Sequence, residues 1–376
     1  MKYNHQIIKA LTLFVFLLFS SFISRGNEIS DKKSETEEKT EEKSFNAGEM
    51  IIEHIIDAHE WHIMKIGETN VTISLPVILY ANGKIVTFSS SNFHHGTESY
   101  KGYKLETEGS NKGKIVKVKE DGITIDESAS LPLDFSITKN TLSLFISLIL
   151  LCVIFISIAK RYIRNPNRAP KGLQSLLEPL ILFIRDDVVK PSIGKKYERY
   201  MPFLLSVFFF IFFSNLLGIV PFFPGGANLT GNIAVTMVLA LFTFVITTFS
   251  GNKSYWVHII NTPGVPWWLK IPIPLMPIVE IIGVITKPFV LMVRLFANIS
   301  AGHIIILGFI GLIFIFGNIN IGAGYGASIL AVAFAVFMGM LELLVAFLQA
   351  YVFTLLSAIY FGMATAEHEH QEEHAH

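Results

Sequence analysis

The residues able to do chemistry in this chain lie where charge is most costly. Residues 287–316, KPFVLMVRLFANISAGHIIILGFIGLIFIF, are apolar almost throughout, yet Arg294 sits well inside them. A central arginine costs a membrane span about 2.5–3.5 kcal/mol on insertion scales. Its guanidinium cannot escape by losing a proton, because its pKa exceeds about 12. Across the two long apolar stretches at 273–316 and 327–363, the ionisable residues are Glu280, Lys287, Arg294, His303 and Glu342, with Asn298 and Gln349 as polar companions. Ionisable groups inside a membrane are a functional hypothesis by default, weighed here against a structural ion pair that pins two helices together.

Spacing tests the local version of such a pair. A partner on the same helix would lie three or four positions from Arg294, where the sequence has Val290, Leu291, Ala297 and Asn298. No carboxylate is in local reach, so the counter-charge must come from another helix or another chain. At about 100° per residue, Lys287, Arg294, Asn298, Ala301 and Ile305 share a face, and small Ala297 flanks it. His303 points to the opposite side.

Depth adds to this, since the two stretches run in opposite directions. Along their axes, His303 lies ~13.5 Å from Arg294 and Glu342 lies ~10.5 Å from Gln349. If Arg294 and Gln349 are level, then His303 and Glu342 are level within ~3 Å, and a facing imidazole and carboxylate can hand a proton between them. Glu280 lies ~21 Å from Arg294 on the other side, within about 40° of its face. The pattern is two half-paths separated by a fixed positive charge. A channel would be continuous, and the chain shows no internal repeat of the kind that frames many secondary-transporter sites.

These groups must be positioned by membrane helices. The chain has 376 residues, is 51% hydrophobic, and balances Lys+Arg 30 against Asp+Glu 30. That balance hides a segregation: beyond residue 200 the basic residues are Lys253, Lys270, Lys287 and Arg294. Nucleic-acid binding and a polybasic membrane patch are both excluded by this distribution. The single cysteine, Cys152, falls in an apolar run, so no intrachain disulfide is available.

The expected organisation is an all-α polytopic membrane protein with two long tilted C-terminal helices, plus a small β-rich periplasmic N-terminal region. Residues 1–26 read as a signal peptide, with Lys2 and Lys9 before LTLFVFLLFSSFIS (11–24). Residues 27–46 form a charged tether of disordered composition. Residues 47–135 form the extramembrane region, with helical apolar spacing at 47–62 and alternation at 71–80, 83–91, 112–120 and 122–128. Turn signals stand at Asn82-Gly83 and Asp121-Gly122. Its histidines (His54, His59, His62, His94, His95) show no convincing metal-ligand set.

The membrane domain covers 136–365, with spans at about 141–159, 201–222, 232–250, 273–316 and 327–363. Lys160, Arg161, Arg164, Arg168 and Lys171 follow the first span and place that end in the cytoplasm. Residues 172–196 are amphipathic and too charged to span, so a surface helix is expected. The last two stretches exceed the ~20 residues of a perpendicular crossing, so tilt or a break must absorb the excess. The parity of crossings leaves the His/Glu tail, 366–376, in the cytoplasm.

At this point the residues resemble subunit a of the F-type ATP synthase, the stator of its membrane sector. KPFVLMVRLFANISAGH (287–303) looks like that family's arginine-bearing helix, and LELLVAFLQAYVFTLLSAIYFGMA (341–364) looks like its final helix. NLLGIVP (215–221) and TGNIAVT (230–236) are similar to family positions in the second and third spans. The resemblance covers about 140–365 and is specific, because Arg-Leu-Phe-x-Asn and Gln-Ala-x-x-Phe occur in order and in the right topology.

The resemblance implies that the missing partner is a carboxylate on a rotating ring of c subunits, within a complex that also contains b subunits and the rest of the synthase. Arg294 would attract the deprotonated carboxylate and block direct leakage, with Gln349 beside it and Asn298 in support. His303 and Glu342 would line the outer half-channel, Glu280 the inner one, and Asn215 would be a lesser outer-path candidate. Many bacterial relatives carry glutamate at the His303 position and histidine at the Glu342 position. The exchange found here, as in mitochondrial forms, preserves the chemistry of the pair. The long N-terminal region is a second departure, and the resemblance says nothing of its role.

Two other readings stand beside this one. A secondary ion-coupled transporter would move ions alone, and a purely structural membrane subunit would tolerate loss of Arg294. The chain carries no phosphate-binding loop, so ATP chemistry belongs to partner chains. No catalytic site, cofactor or metal is expected. The His303/Glu342 pair favours protons over sodium, since imidazole relays H⁺ and suits Na⁺ poorly.

Overall fold

A computed structural model of the protein describes residues 56–66, 69–107, 111–119, 121–126, 128–164, 169–220, 223–260 and 275–366, together with Gly48, Ile51 and Ile52. The expected signal segment 1–26, the tether 27–46 and the tail beyond residue 366 lie outside the described residues. Two compact units result, one of the described residues within 56–142 and the other of those from residue 143 onward.

The first unit is built from short antiparallel strands. β1 (Glu60–Ile66) pairs with β2 (Thr69–Ser74), with a bulge between His62 and Met64. β3 (Pro76–Ala81) is the central strand of a sheet ordered β4-β3-β8, with β4 at Lys84–Ser89 and β8 at Leu133–Asp134. The β3–β4 hairpin turns at Asn82 and Gly83, whose φ values of 52° and 75° are those of a tight two-residue turn. β5 (Ser99–Tyr100), β6 (Tyr103–Leu105) and β7 (Ile115–Lys117) form a second three-stranded sheet. Val77, Leu79, Phe93, Tyr103 and Ile115 make the core.

Two local expectations change here. Gly48, Ile51 and Ile52 are helical, but residues 60–62 belong to β1, because Trp61 turns into the interior while His62 stays exposed, and that alternation suits a strand. The strand expected at 122–128 is reduced to one bridge, Val118 with Ile125. Asp121 Oδ1 accepts from the N–H groups of Ile123 and Thr124 at 3.0 and 2.9 Å, and Asp126 Oδ1 accepts from Ser128 N. These side-chain turns take up amides that a ladder would need, and β7 pairs with β6 instead.

Eight helices follow among the described residues. α1 (Lys139–Arg164) is apolar over most of its length. α2 (Leu173–Phe183) leads through a π-helical stretch at Ile184–Val189 into α3 (Lys190–Ile193) and then α4 (Tyr197–Ile219). Within the segment expected on the surface, 172–196, the helical run ends at Ile193, and Gly194 at φ 73° turns the chain before α4. α5 (Ile233–Ser250) starts on Asn232, whose side chain accepts from Ala234 N, and α6 (Lys253–Ile260) is a short turn-in. α7 (Leu275–Ile319) and α8 (Ile321–Thr365) are 45 residues each.

Neither long helix breaks. At 1.5 Å per residue each is about 68 Å long, more than twice a hydrocarbon core of about 30 Å. Asn320 alone separates them, its Oδ1 accepting from Gly322 N at 2.9 Å. Five helical runs are long and apolar enough to cross a membrane: Lys139–Arg164, Leu173–Ile219, Ile233–Ser250, Met276–Ile319 and Ile321–Thr365. The chain is a multi-pass membrane protein.

Packing in this unit centres on α8, which lies along α7, α4 and α5. Phe208, Phe209 and Ile211 of α4 meet Ala350, Phe353 and Phe361 of α8 in one buried cluster. Small residues let backbones approach. The limit is reached at Gly362, where an added Cβ would lie 1.9 Å from the Ser192 carbonyl oxygen.

Candidate functional site

The orientation of α7 is set by an apolar stripe. Leu291, Leu295 and Ile299 recur every four residues and are buried against the bundle. That stripe turns Arg294, Ala297, Asn298 and Ala301 to the outside, where all four are exposed. Arg294 makes no ion pair with any described residue. Among the described residues the positive charge stands on an exposed face.

His303, nine residues on, lies toward α8, where its Nδ1 hydrogen-bonds Glu342 Oε1. The Glu342 side chain is 5% exposed and that of His303 17%. Gly302 makes this possible: a Cβ there would sit 3.1 Å from Glu342 Oε1. The second ring nitrogen, Nε2, points toward Gly218 of α4, ending 4.0 Å from where a Cβ would stand. One nitrogen faces the carboxylate and the other faces away from it, the geometry that a proton relay requires.

Next to the pair lies a buried polar loop. Asn215 on α4 donates from Nδ2 to Ala346 O at 3.3 Å and accepts at Oδ1 from Thr230 Oγ1 at 2.5 Å. Asn228 Oδ1 accepts from Gly231 N at 2.9 Å, and Ser300 Oγ donates to Gly231 O at 3.4 Å. Asn228 Nδ2 and Ser214 Oγ are buried with no hydrogen-bond partner among the described residues. Asn228, Thr230, Ser214 and Ser300 were not singled out from sequence. Asn228 stands in a short polar run before a helix start, which reads equally as an exposed loop, Thr230 opens the TGNIAVT segment, and Ser214 and Ser300 are single hydroxyls inside apolar helices.

The remaining candidates occupy other places. Gln349 is buried on α8, and no hydrogen bond joins it to Arg294 or Asn298 among the described residues. Glu280 is half-buried near α6, where burial first and the Glu280 carboxylate second push the Tyr255 hydroxyl up. Lys287 places its Nζ 5.5 Å from the Tyr360 ring centre, a cation–π contact between α7 and α8. The structure thus brings His303, Glu342 and Asn215 into one buried polar region and leaves Arg294 and Asn298 on the open face.

A family model described as ATP synthase A chain matches residues 141–362, more than half of the sequence. The chain belongs to the ATP synthase A chain family. Among its relatives, ATP synthase subunit a of Chloroherpeton thalassium is 45% identical over 251 residues, covering 65% of this chain and 71% of that protein. ATP synthase subunit a 2 of Chlorobaculum tepidum is 47% identical over 248 residues, 64% of this chain and 66% of the relative. ATP synthase subunit a of Myxococcus xanthus is 44% identical over 251 residues, 65% and 78%. Residues 50–135 match a second model, described as a domain of unknown function (DUF8433). Membership in the ATP synthase A chain family makes the chain a component of an ATP synthase complex.

Among the described residues no group of three or more His, Cys, Asp or Glu could hold a metal ion. In the first unit His59 Nε2 lies 2.7 Å from Asp134 Oδ2 and His95 Nδ1 lies 2.6 Å from Glu60 Oε2, so two of its histidines engage carboxylates pairwise.

Proposed function

We propose that this chain is the ion-translocating stator of a rotary ATP synthase, with Arg294 as the barrier charge between two proton half-paths. The observation that carries the reading is the separation of the two polar faces of α7: an arginine exposed and unpaired among the described residues, and a buried His303–Glu342 pair on the other side. An exposed cation within the membrane needs a mobile carboxylate, and a rotating ring of c subunits provides one at every step.

In this account a proton reaches the pair from the outer side, moves between Glu342 and His303, and passes to a ring carboxylate beside α7. Asn215 supports the outer path. Arg294 attracts the deprotonated carboxylate and, being charged at every working pH, prevents protons from crossing directly. Gln349 and Asn298 support its position, and Glu280 serves the inner path. The N-terminal unit lies outside the cytoplasm, the C-terminus lies within it, b subunits flank the chain, and the bilayer is that of a bacterial inner membrane.

Cysteines at Ala297 and Ala301, in a Cys152→Ser background, test the open face. In the assembled complex both should cross-link to a c subunit carrying a cysteine near its carboxylate. Normal assembly without cross-links at either position would reject the arrangement.

A further inference from the structure

The β unit presents an apolar face that nothing in the proton path uses. Strand register sets Ile85 on β4, Tyr80 on β3 and Leu133 on β8 in one row across the sheet. Ile85 is 69% exposed, Leu133 59% and Tyr80 44%. Phe135 follows two residues after Leu133 on the same side, is exposed, and is held there by its N–H on Ile78 O at 2.9 Å. Val77 and Leu79 fill the opposite, core side of the same strand. A contiguous apolar row of this kind marks an interaction surface.

Its chain continuity says which surface. β8 ends at Asp134 and α1 begins at Lys139, and the residues between are bonded into the unit rather than slack. Ser136 Oγ accepts from Ile78 N at 3.0 Å, and Ile137 N donates to Pro76 O at 3.1 Å. Thr138 Oγ1 donates to Asp57 Oδ2 at 2.7 Å. The first turn of α1 is itself capped by the unit: Lys139 N donates to Ala58 O at 2.8 Å and Asn140 N to Asp57 Oδ1 at 3.0 Å. Phe135 therefore lies at most about 14 Å of chain from the start of a membrane span, a reach comparable to the polar layer that flanks a bilayer core. Lys84, paired with Ala81, alternates to the other side of β4, and Lys101 Nζ, on Thr87 O, stands 5.9 Å from the ring centre of Phe88 on that same side, so the row itself is apolar.

We propose that this sheet face rests in the headgroup layer of the bilayer, with phospholipid as its occupant. The aromatic and aliphatic side chains of the row enter the boundary between headgroups and acyl chains. The N-terminal unit is then a membrane-surface domain rather than a freely held one.

The test uses the full chain in its assembled complex, reconstituted in phosphatidylethanolamine–phosphatidylglycerol vesicles. Leu133→Cys and, separately, Ile85→Cys are placed in a Cys152→Ser background and labelled with an environment-sensitive fluorophore. Loss of emission with headgroup-nitroxide lipid, and retention of emission with aqueous iodide, is the expected result at both positions. Quenching by iodide without quenching by the nitroxide lipid overturns the proposal. Protection from both quenchers also overturns it, assigning the face to another protein or a second copy. Ile85 lies on an edge strand, so its variant reads the face even if the Leu133 change unfolds β8.

Discussion

Gly302 of α7 faces Glu342 of α8 so closely that a methyl group on it would stand 3.1 Å from the carboxylate oxygen. The glycine is the space into which the His303–Glu342 hydrogen bond is built. Gly302→Ala should push the carboxylate off Nδ1 by a few tenths of an ångström, and Gly302→Val should break the contact. Proton pumping driven by ATP in membrane vesicles should fall severalfold for alanine, a barrier increase on the order of 1 kcal/mol, and further for valine. Unchanged pumping by the valine variant would show that the pair is not on the path.

His303 and Glu342 should behave as one unit. Alanine at either position should impair proton flux, and His303→Glu combined with Glu342→His should recover more than either half-exchange. A double-mutant cycle measures this directly, since contacting residues couple by about 0.5–3 kcal/mol. Additive effects would count against coupling.

Thr230 should matter through Asn215. Thr230→Ala removes the hydroxyl that donates to Asn215 Oδ1, and an unsatisfied buried acceptor costs roughly 1–3 kcal/mol. The complex should assemble in lower yield, with reduced pumping per complex. Thr230→Ser keeps the donor and should restore both, which separates a hydrogen-bonding role from a packing one.

That the chain is built on several membrane helices was legible because few charges interrupt its long apolar runs. The facing of His303 and Glu342 was legible from axial rise along two antiparallel helices once Arg294 and Gln349 were taken as level. The loop at Asn228–Gly231 was not, because its burial depends on α4, α5 and α7 closing around it. Nor was the role of Gly302, since a glycine inside a helix shows its purpose only when the neighbouring side chain is in place. In the β unit, Glu60–His62 read as the end of a helix because the strand that pairs with them lies further along the chain, at Thr72, Ile73 and Ser74 of β2.

Acid should loosen the β unit through Asp134. Burial raises its carboxyl, but the hydrogen bonds from His59 and Ser136 outweigh that and hold it below its ordinary value of 3.8. A carboxyl depressed by folding stabilises the fold at pH above its unfolded value, and this stabilisation is lost as pH falls through the lower, folded value. Hydrogen exchange at the β3 and β8 amides of the full chain should therefore quicken below pH of about 4. In Asp134→Asn the exchange should already be faster at neutral pH and should respond less to acid. An unaltered acid response would remove Asp134 as its source.

If Arg294 is the barrier charge, vesicles carrying Arg294→Ala should hold the assembled complex in normal amount and show no ATP-driven proton pumping. Normal pumping by that variant, with the same amount of complex, would contradict that role.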